Sequence, residues 1–316
     1  MGGAASGRPA SRLDFGYSGF QRSSMQSSTS ARRGRTYLSV APLTIALVLF
    51  VVIPLVMIVA VSFFSFDMVS GAQPSLILDN FIEVLTDRNT LNLYGTTLKY
   101  AAIVWAVTLF VGFWIAYFLT FHIRNLLIAI GLFLLCTVPF WTSNVIRMIS
   151  WIPLLGKEGL VNQALMGLGI VSEPVEWLLF SDFAVILCYV NLFTLFMIVP
   201  IFNSMARIDR SLVEAARDAG AGRLRIMTEV IVPLSKSGIA LGSIFVVALT
   251  MGDFFVVKIM GGGRSANVVS AMFDDIGILN YPHAGAQAVV LLIVVTLIVT
   301  AIMRVVDVRK ELAQAR

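Results

Sequence analysis

Five stretches of this chain carry no charged residue and are each long enough to cross a lipid bilayer, a pattern that confines the fold to a membrane. They run from Tyr37 to Phe66, Ala101 to Phe121, Asn125 to Ile146, Phe183 to Ala206 and Ala284 to Met303. A helix needs about 20 apolar residues to span the hydrocarbon core. A sixth stretch, Ser237 to about Met260, has the same length and is apolar apart from Asp253 and Lys258. With 58% hydrophobic residues, 13% charged residues and a mean hydropathy of +0.88, the 316 residues hold too little polar material for a water-facing surface. The reading is an all-α, polytopic membrane protein with six transmembrane helices in residues 37–308.

Lys and Arg are retained on the cytoplasmic side of a membrane. With the N-terminus inside, 17 of the 23 fall on inner segments, and only Arg88, Lys99, Arg147, Lys157, Lys258 and Arg264 fall on outer segments or outer helix ends. Both termini are therefore expected in the cytoplasm. The net charge of +5 is explained by topology, with no nucleic-acid partner implied. Residues 1–36, rich in Ser, Gly and Arg without periodicity, read as a disordered basic cytoplasmic tail, and 309–316 as a second tail. The apolar run after the first tail is too long for a secretory signal and is expected to stay as the first span. Cys136 and Cys188 lie inside apolar runs without metal-ligand spacing, so they read as packing residues and no metal site is expected.

Between the first two spans, Leu78, Phe81, Ile82 and Leu85 recur at helical spacing and predict a short amphipathic helix on the outer surface. Spans two and three are joined by little more than "HIRN", a tight hairpin. The outer segment after span three carries Trp151 and Trp177, which suit the membrane interface, and offers a surface to an external partner.

The segment 207–236 departs from the rest: it is charged, alanine-rich and punctuated by glycine. Ser211 and Glu214 have the spacing of a capping box, which starts a helix near Leu212. Gly220 is placed to end it in the left-handed conformation, and a second helix is predicted from about Arg223 toward Pro233. Ala215, Ala216 and Ala219 make a small face, ringed by Arg217, Asp218, Arg223 and Arg225, that fits a groove in a partner. Connections between membrane helices need only a few residues, so a long structured one has a task.

"EAARDAG" followed by "VIVP" resembles the coupling loop of the permease subunits of bacterial ABC importers, with Glu214, Ala215, Ala216, Gly220, Val230, Val232 and Pro233 at its motif positions. The resemblance extends over nearly the whole chain and implies the type I importer permease fold. It implies that Leu212 to Ala219 docks in a cleft of a separate ATPase, with Ser211, Asp218 and Pro233 in the same coupling segment. It further implies two ATPase subunits that hold ATP and Mg, a second permease subunit, an external solute-binding protein, and residence in the bacterial cytoplasmic membrane. This chain has no G-x-x-x-x-G-K-[ST], and its "GGGRSA" lacks the lysine a phosphate-cradling loop needs, so it is a transport subunit that binds no cofactor itself and is no enzyme.

Within that superfamily the chain is most similar to polyamine-type permeases, through "IDRSLVEAARDAGAG", "RMISWIPLLGKEGLVNQAL" and "GDFFVVKIMGGG". Permeases for iron, thiamine, opines and aminophosphonates share much of this pattern. A path for polyamines needs carboxylates and aromatic faces. Asp253, an acidic residue in a span, is the leading candidate. Phe254, Trp141 and Tyr189 supply aromatic faces and Asn144 and Asn191 hydrogen-bonding groups, against the plainer reading of helix packing. Lys258, five residues after Asp253, is expected to snorkel to the outer interface; facing the path, it would favour an anionic or zwitterionic solute. Asp274 and Asp275, in the outer loop, read as attracting a cation, as contacting the solute-binding protein, or as an ordinary solvated pair. The rival from another class is an ion-coupled secondary transporter with Asp253 as its ion site, in which the structured cytoplasmic segment has no purpose.

Overall fold

The computed structural model describes residues 41–69, 71–123 and 125–305. The tails expected at 1–36 and 309–316 lie outside them. Of the described residues, 41–57 fall in one unit and those from Ile58 in a second. In the first, residues 41–57 belong to an apolar helix, α1, which runs Ala41–Val61. A short antiparallel hairpin follows, β1 (Ser65–Asp67) and β2 (Gly71–Gln73), with Phe66 opposite Ala72. It is the one departure from an all-helical chain among the described residues, and it takes over the end of the first apolar run. The amphipathic helix is present as α2 (Asp79–Thr86), tied back by Asn80, whose Nδ2 donates to the Ser62 and Phe64 carbonyls at 2.9 and 2.8 Å.

Helix α3 (Arg88–Tyr117) starts thirteen residues before the uncharged run at Ala101, because Asp87 caps it by accepting from the Thr90 amide at 2.8 Å. It continues through a wider turn at Phe118–His122. After α4 (Leu126–Thr137) the third apolar run does not stay straight. Pro139 sits in a tight turn at Val138–Trp141, Thr142 and Ser143 are extended, and the chain resumes 92° away in α5 (Asn144–Ile149), α6 (Ile152–Leu155) and α7 (Leu160–Gly167). Helix α8 (Asp182–Met205) is capped by Ser181. The charged segment holds α9 (Arg210–Asp218) and α10 (Arg223–Leu234), and α10 meets α11 (Lys236–Gly252) at 68°. Then come α12 (Phe255–Met260), α13 (Val268–Gly277) and α14 (Tyr281–Val305).

Four helices are each long and apolar enough to span a bilayer, Ala41–Val61, Arg88–His122, Glu176–Met205 and Tyr281–Arg304; each bent pair taken as one span brings the number to six among the described residues.

Helices α3, α8 and α11 pack on one another as the centre of the second unit, burying Tyr100, Val104, Tyr189, Met197, Ile201 and Val246. Between apolar helices in lipid, association rests on close packing and on small residues at the contact. Gly238 and Gly242, one turn apart on α11, provide it: a Cβ at Gly238 would lie against the Pro200 carbonyl oxygen and 2.6 Å from Ser204 Cβ, and one at Gly242 would lie 2.7 Å from Met197 Sδ. At the other end of this trio, Asp182 gathers Lys99 Nζ (2.7 Å), Tyr100 Oη (2.6 Å) and Ser265 Oγ (2.7 Å), joining α3, the start of α8 and the loop after α12. A smaller core under α2, α13 and α14 contains Val84, Ala101, Met251, Val268 and Ala286, and Tyr94 Oη donates to the Gln287 carbonyl across it at 2.7 Å.

Gly238→Ala is expected to destabilise the protein by about 1–3 kcal/mol, because the α8 backbone must move aside. Gly131→Ala on α4, where a Cβ meets nothing within 4 Å, is expected to be neutral or slightly stabilising. Melting curves of the two detergent-solubilised variants decide it; equal melting temperatures would refute the close packing.

Candidate functional site

The charged segment 207–236 opens with a short helix closed at both ends. Asp209 is extended and its Oδ1 accepts from the Ser211 amide at 2.9 Å, so the helix begins at Arg210. The expected capping box of Ser211 and Glu214 is therefore not the one used: Asp209 takes the cap and places Ser211 inside the first turn, with its hydroxyl on the Asp209 carboxylate. That amide holds the Asp209 carboxyl below its ordinary pKa. At the far end Gly220 has φ +83°, the Gly220 amide donates to Arg217 O at 2.9 Å, and the Ala221 amide donates to Ala216 O at 3.0 Å. This paired closure needs a left-handed residue, which glycine adopts without strain.

The two faces of α9 divide cleanly. Val213 and Ala216 are half-buried against the core that contains Met205, Ile226 and Ile231, so Ala216 is turned inward and does not join the small outer face expected of it. Leu212, Glu214, Ala215, Asp218, Ala219 and Gly220 are exposed, Leu212 with 49% of its surface. The outward apolar positions, Leu212, Ala215 and Ala219, follow helical spacing. Pro233 lies in α10, just before the bend at Ser235. Arg225 on α10 holds Glu229 with both carboxylate oxygens at 3.0 Å. Sequence reading missed Arg210, whose Nη2 donates to the Thr120 carbonyl at 3.2 Å and fastens α9 to the wide turn ending α3.

The second arrangement lies in the interior. The expected single span from Ser237 to Met260 is broken: α11 ends at Gly252, Asp253 is extended, and α12 starts at Phe255. The backbone exposed by the break is met by side chains. The Asp253 carbonyl accepts from Tyr189 Oη at 3.1 Å and from Asn267 Nδ2 at 2.8 Å, while Asp253 Oδ1 accepts from the Val256 amide at 2.9 Å and from Tyr189 Oη at 3.3 Å. Asn267, which is buried, caps α13 with its own Oδ1 on the Ser270 amide at 2.8 Å. It was invisible in sequence because its partners are distant in the chain; only the N-x-x-S cap spacing hinted at it.

Of the interior candidates, the structure joins Tyr189 to Asp253 and leaves the others apart. Tyr189 is fully buried and stacks on Phe193 at 5.6 Å. Phe254 stacks on Phe273 at 4.6 Å. Trp141 is 82% exposed, Asn191 is exposed, and Asn144 accepts from Arg147 Nη2, so none of these three hydrogen-bonds Asp253. Lys258 does not snorkel free: its ammonium pairs with Asp274 from α13. Asp275 pairs with His283 Nδ1 at 2.8 Å. Asp274 and Asp275 are thus each committed to a partner, whereas half-buried Asp253 has no Lys, Arg or His partner among the described residues.

Comparison with known proteins gives this geometry a setting. The chain is 35% identical over 257 residues to the spermidine/putrescine transport system permease protein PotB of Escherichia coli K12, covering 79% of this chain and 90% of that protein. It is 30% identical over 254 residues to PotB of Haemophilus influenzae, covering 80% and 87%. Its fold matches a crystal structure of a bacterial ABC transporter involved in import of alginate, with a TM-score of 0.72, 17% identity, and coverage of 89% of this chain and 98% of that one. Residues 109–311 match the model of the binding-protein-dependent transport system inner membrane component. The chain with the closed coupling-type helix and the broken interior span belongs to that family of ABC importer permeases.

Proposed function

We propose that this chain is the permease subunit of an ATP-driven importer of polyamines such as spermidine and putrescine. The observation that carries the reading is Asp253, a half-buried carboxylate at a helix break with no cationic partner among the described residues, in a chain 35% identical to a spermidine/putrescine permease. A carboxylate in an apolar interior is costly unless a cation comes to it. An alkylammonium does so, and the Phe254 ring one residue on offers a face for the adjoining methylenes. A Lys258 facing the path would favour an anionic or zwitterionic solute, but its charge is already met by Asp274. The local balance favours a cationic guest.

In this reading α9 docks by Leu212, Ala215 and Ala219 into a cleft of one subunit of an ATPase dimer, which holds ATP and Mg. A second permease subunit completes the path, and an external solute-binding protein delivers the polyamine. Both termini and α9 face the cytoplasm, supported by the 17 of 23 Lys and Arg on that side. ATPase closure displaces α9 and rocks the bundle between outward and inward access.

Three outcomes test this. Deleting the gene should lower uptake of labelled putrescine and spermidine by native cells with background carriers blocked, and the intact gene should restore it; uptake indifferent to the deletion sinks the polyamine assignment. Glu214→Ala and Gly220→Pro should insert normally in the membrane yet separate ATP hydrolysis from uptake in the assembled complex. Undiminished uptake by both would refute the coupling role of α9. Asp253→Asn keeps an oxygen for Val256 and Tyr189 and removes only the charge, so uptake should fall about tenfold or more, as expected for loss of a charge-assisted hydrogen bond; an Asn variant with full uptake excludes Asp253 from the path.

A further inference from the structure

The Lys258 ammonium rests in a small site of its own. Its Nζ pairs with Asp274 Oδ1 and stands 4.7 Å from the centroid of the Phe273 ring. Phe273 in turn stacks on Phe254, with 4.6 Å between centroids and 16° between planes. Asp253 precedes Phe254 and Asp274 follows Phe273 in the chain. Each ring of the stacked pair thus has a carboxylate as its chain neighbour, one lacking a cationic partner among the described residues and the other holding the chain's own ammonium. A carboxylate beside an aromatic face is the chemistry that holds alkylammonium groups. Lys258 presents that group on a four-carbon stem, the same fragment as one end of putrescine.

We propose that Asp274 and the Phe273 ring form a second ammonium subsite of the path, that Lys258 fills it as a tethered stand-in, and that the far ammonium of a polyamine held at Asp253 displaces the lysine. This inference rests on the polyamine reading above and deepens it. The side chains of Lys258 and Asp274 are 46% and 67% exposed, so their ion pair is solvated and weak enough to exchange. The lysine stem is flexible and can withdraw its charge toward water. A guest anchored at Asp253 delivers its second ammonium at the high effective concentration of a tethered group. Neighbouring Asp275 is unavailable to the guest, being held by His283 at 2.8 Å. While the path is empty, Lys258 keeps Asp274 from standing as a second carboxylate without a cationic partner. The subsite thereby distinguishes solutes with two cationic ends from those with one.

The test is equilibrium binding of labelled putrescine and labelled n-butylamine to the purified complex of this chain with its partner permease and ATPase, without the solute-binding protein. Lys258→Met should tighten putrescine about three- to fivefold, the upper part of the range expected for releasing an exposed ion pair, and change n-butylamine less than about twofold. The double variant Lys258→Met/Asp274→Asn, with the wild-type net charge, should lose that gain. Lys258→Gln serves the same purpose if the Met variant fails to assemble. Equal tightening of both amines would mean only that a repelling charge was removed, and weaker putrescine binding would mean that the pair is a structural brace; either overturns the subsite. Wild-type complex that binds neither amine removes the polyamine reading and the subsite with it, whereas normal putrescine binding unaffected by Lys258→Met removes the subsite alone.

Discussion

A chain that leaves its helix inside a membrane must find partners for the carbonyls and amides it uncovers, since lipid offers none. At the break between α11 and α12 those partners are Tyr189 from α8, Asn267 from the start of α13, and the carboxylate of Asp253 itself. Three separate elements are thereby pinned to one peptide. The carboxylate cannot wander, because its Oδ1 also receives the first turn of α12. The stacked Phe254 and Phe273 rings inherit their position from the same point, as does the end of α13 that carries Asp274. Break, carboxylate and aromatic pair are one construction.

The spans were legible because hydrophobic length is a property of the sequence alone. Their direction was not. An apolar run from Asn125 to Ile146 reads the same whether it is straight or turns by 92° at Thr142 and Ser143, and Pro139 marks the neighbourhood without fixing the angle. The run ending at Met260 announced its interruption through Asp253, yet only tertiary donors decide whether such a residue sits within a helix or ends one. Local signals fared better in the coupling-type segment. Gly220 ends α9 in the left-handed conformation, as its chemistry requires, and the start of the helix was misplaced by two residues only because two rival caps, Asp209 and Ser211, lie within one turn. An N-cap carboxylate that already holds the amide leaves the later serine to bond that carboxylate and not to cap the helix.

The interior site was legible in its centre and hidden in its surroundings. Asp253 stood out as a charge in a span, and Tyr189 was named beside it. Asn267 could not be found, being fourteen residues away on another element, and the partnership of Lys258 with Asp274 crosses sixteen residues for the same reason. Lys258 lies on α12 and Asp253 on the extended residue before that helix, and neither position carried information about α13. Trp141 and Asn191 had the right chemistry, and exposure took them elsewhere.

Arg210 gives the second unit a mechanical axis. It holds the Thr120 carbonyl at the end of a helix that runs unbroken from Arg88 to His122, 35 residues or about 52 Å at 1.5 Å per residue. About 30 Å along that rod, Lys99 and Tyr100 grip Asp182 at the start of α8, and Ser265 grips the same carboxylate from the loop beyond α12. Arg210, α3 and Asp182 thus form one continuous line of contacts that starts at α9. It arrives at the loop that leads into Asn267, the residue that holds the break at Asp253 in place.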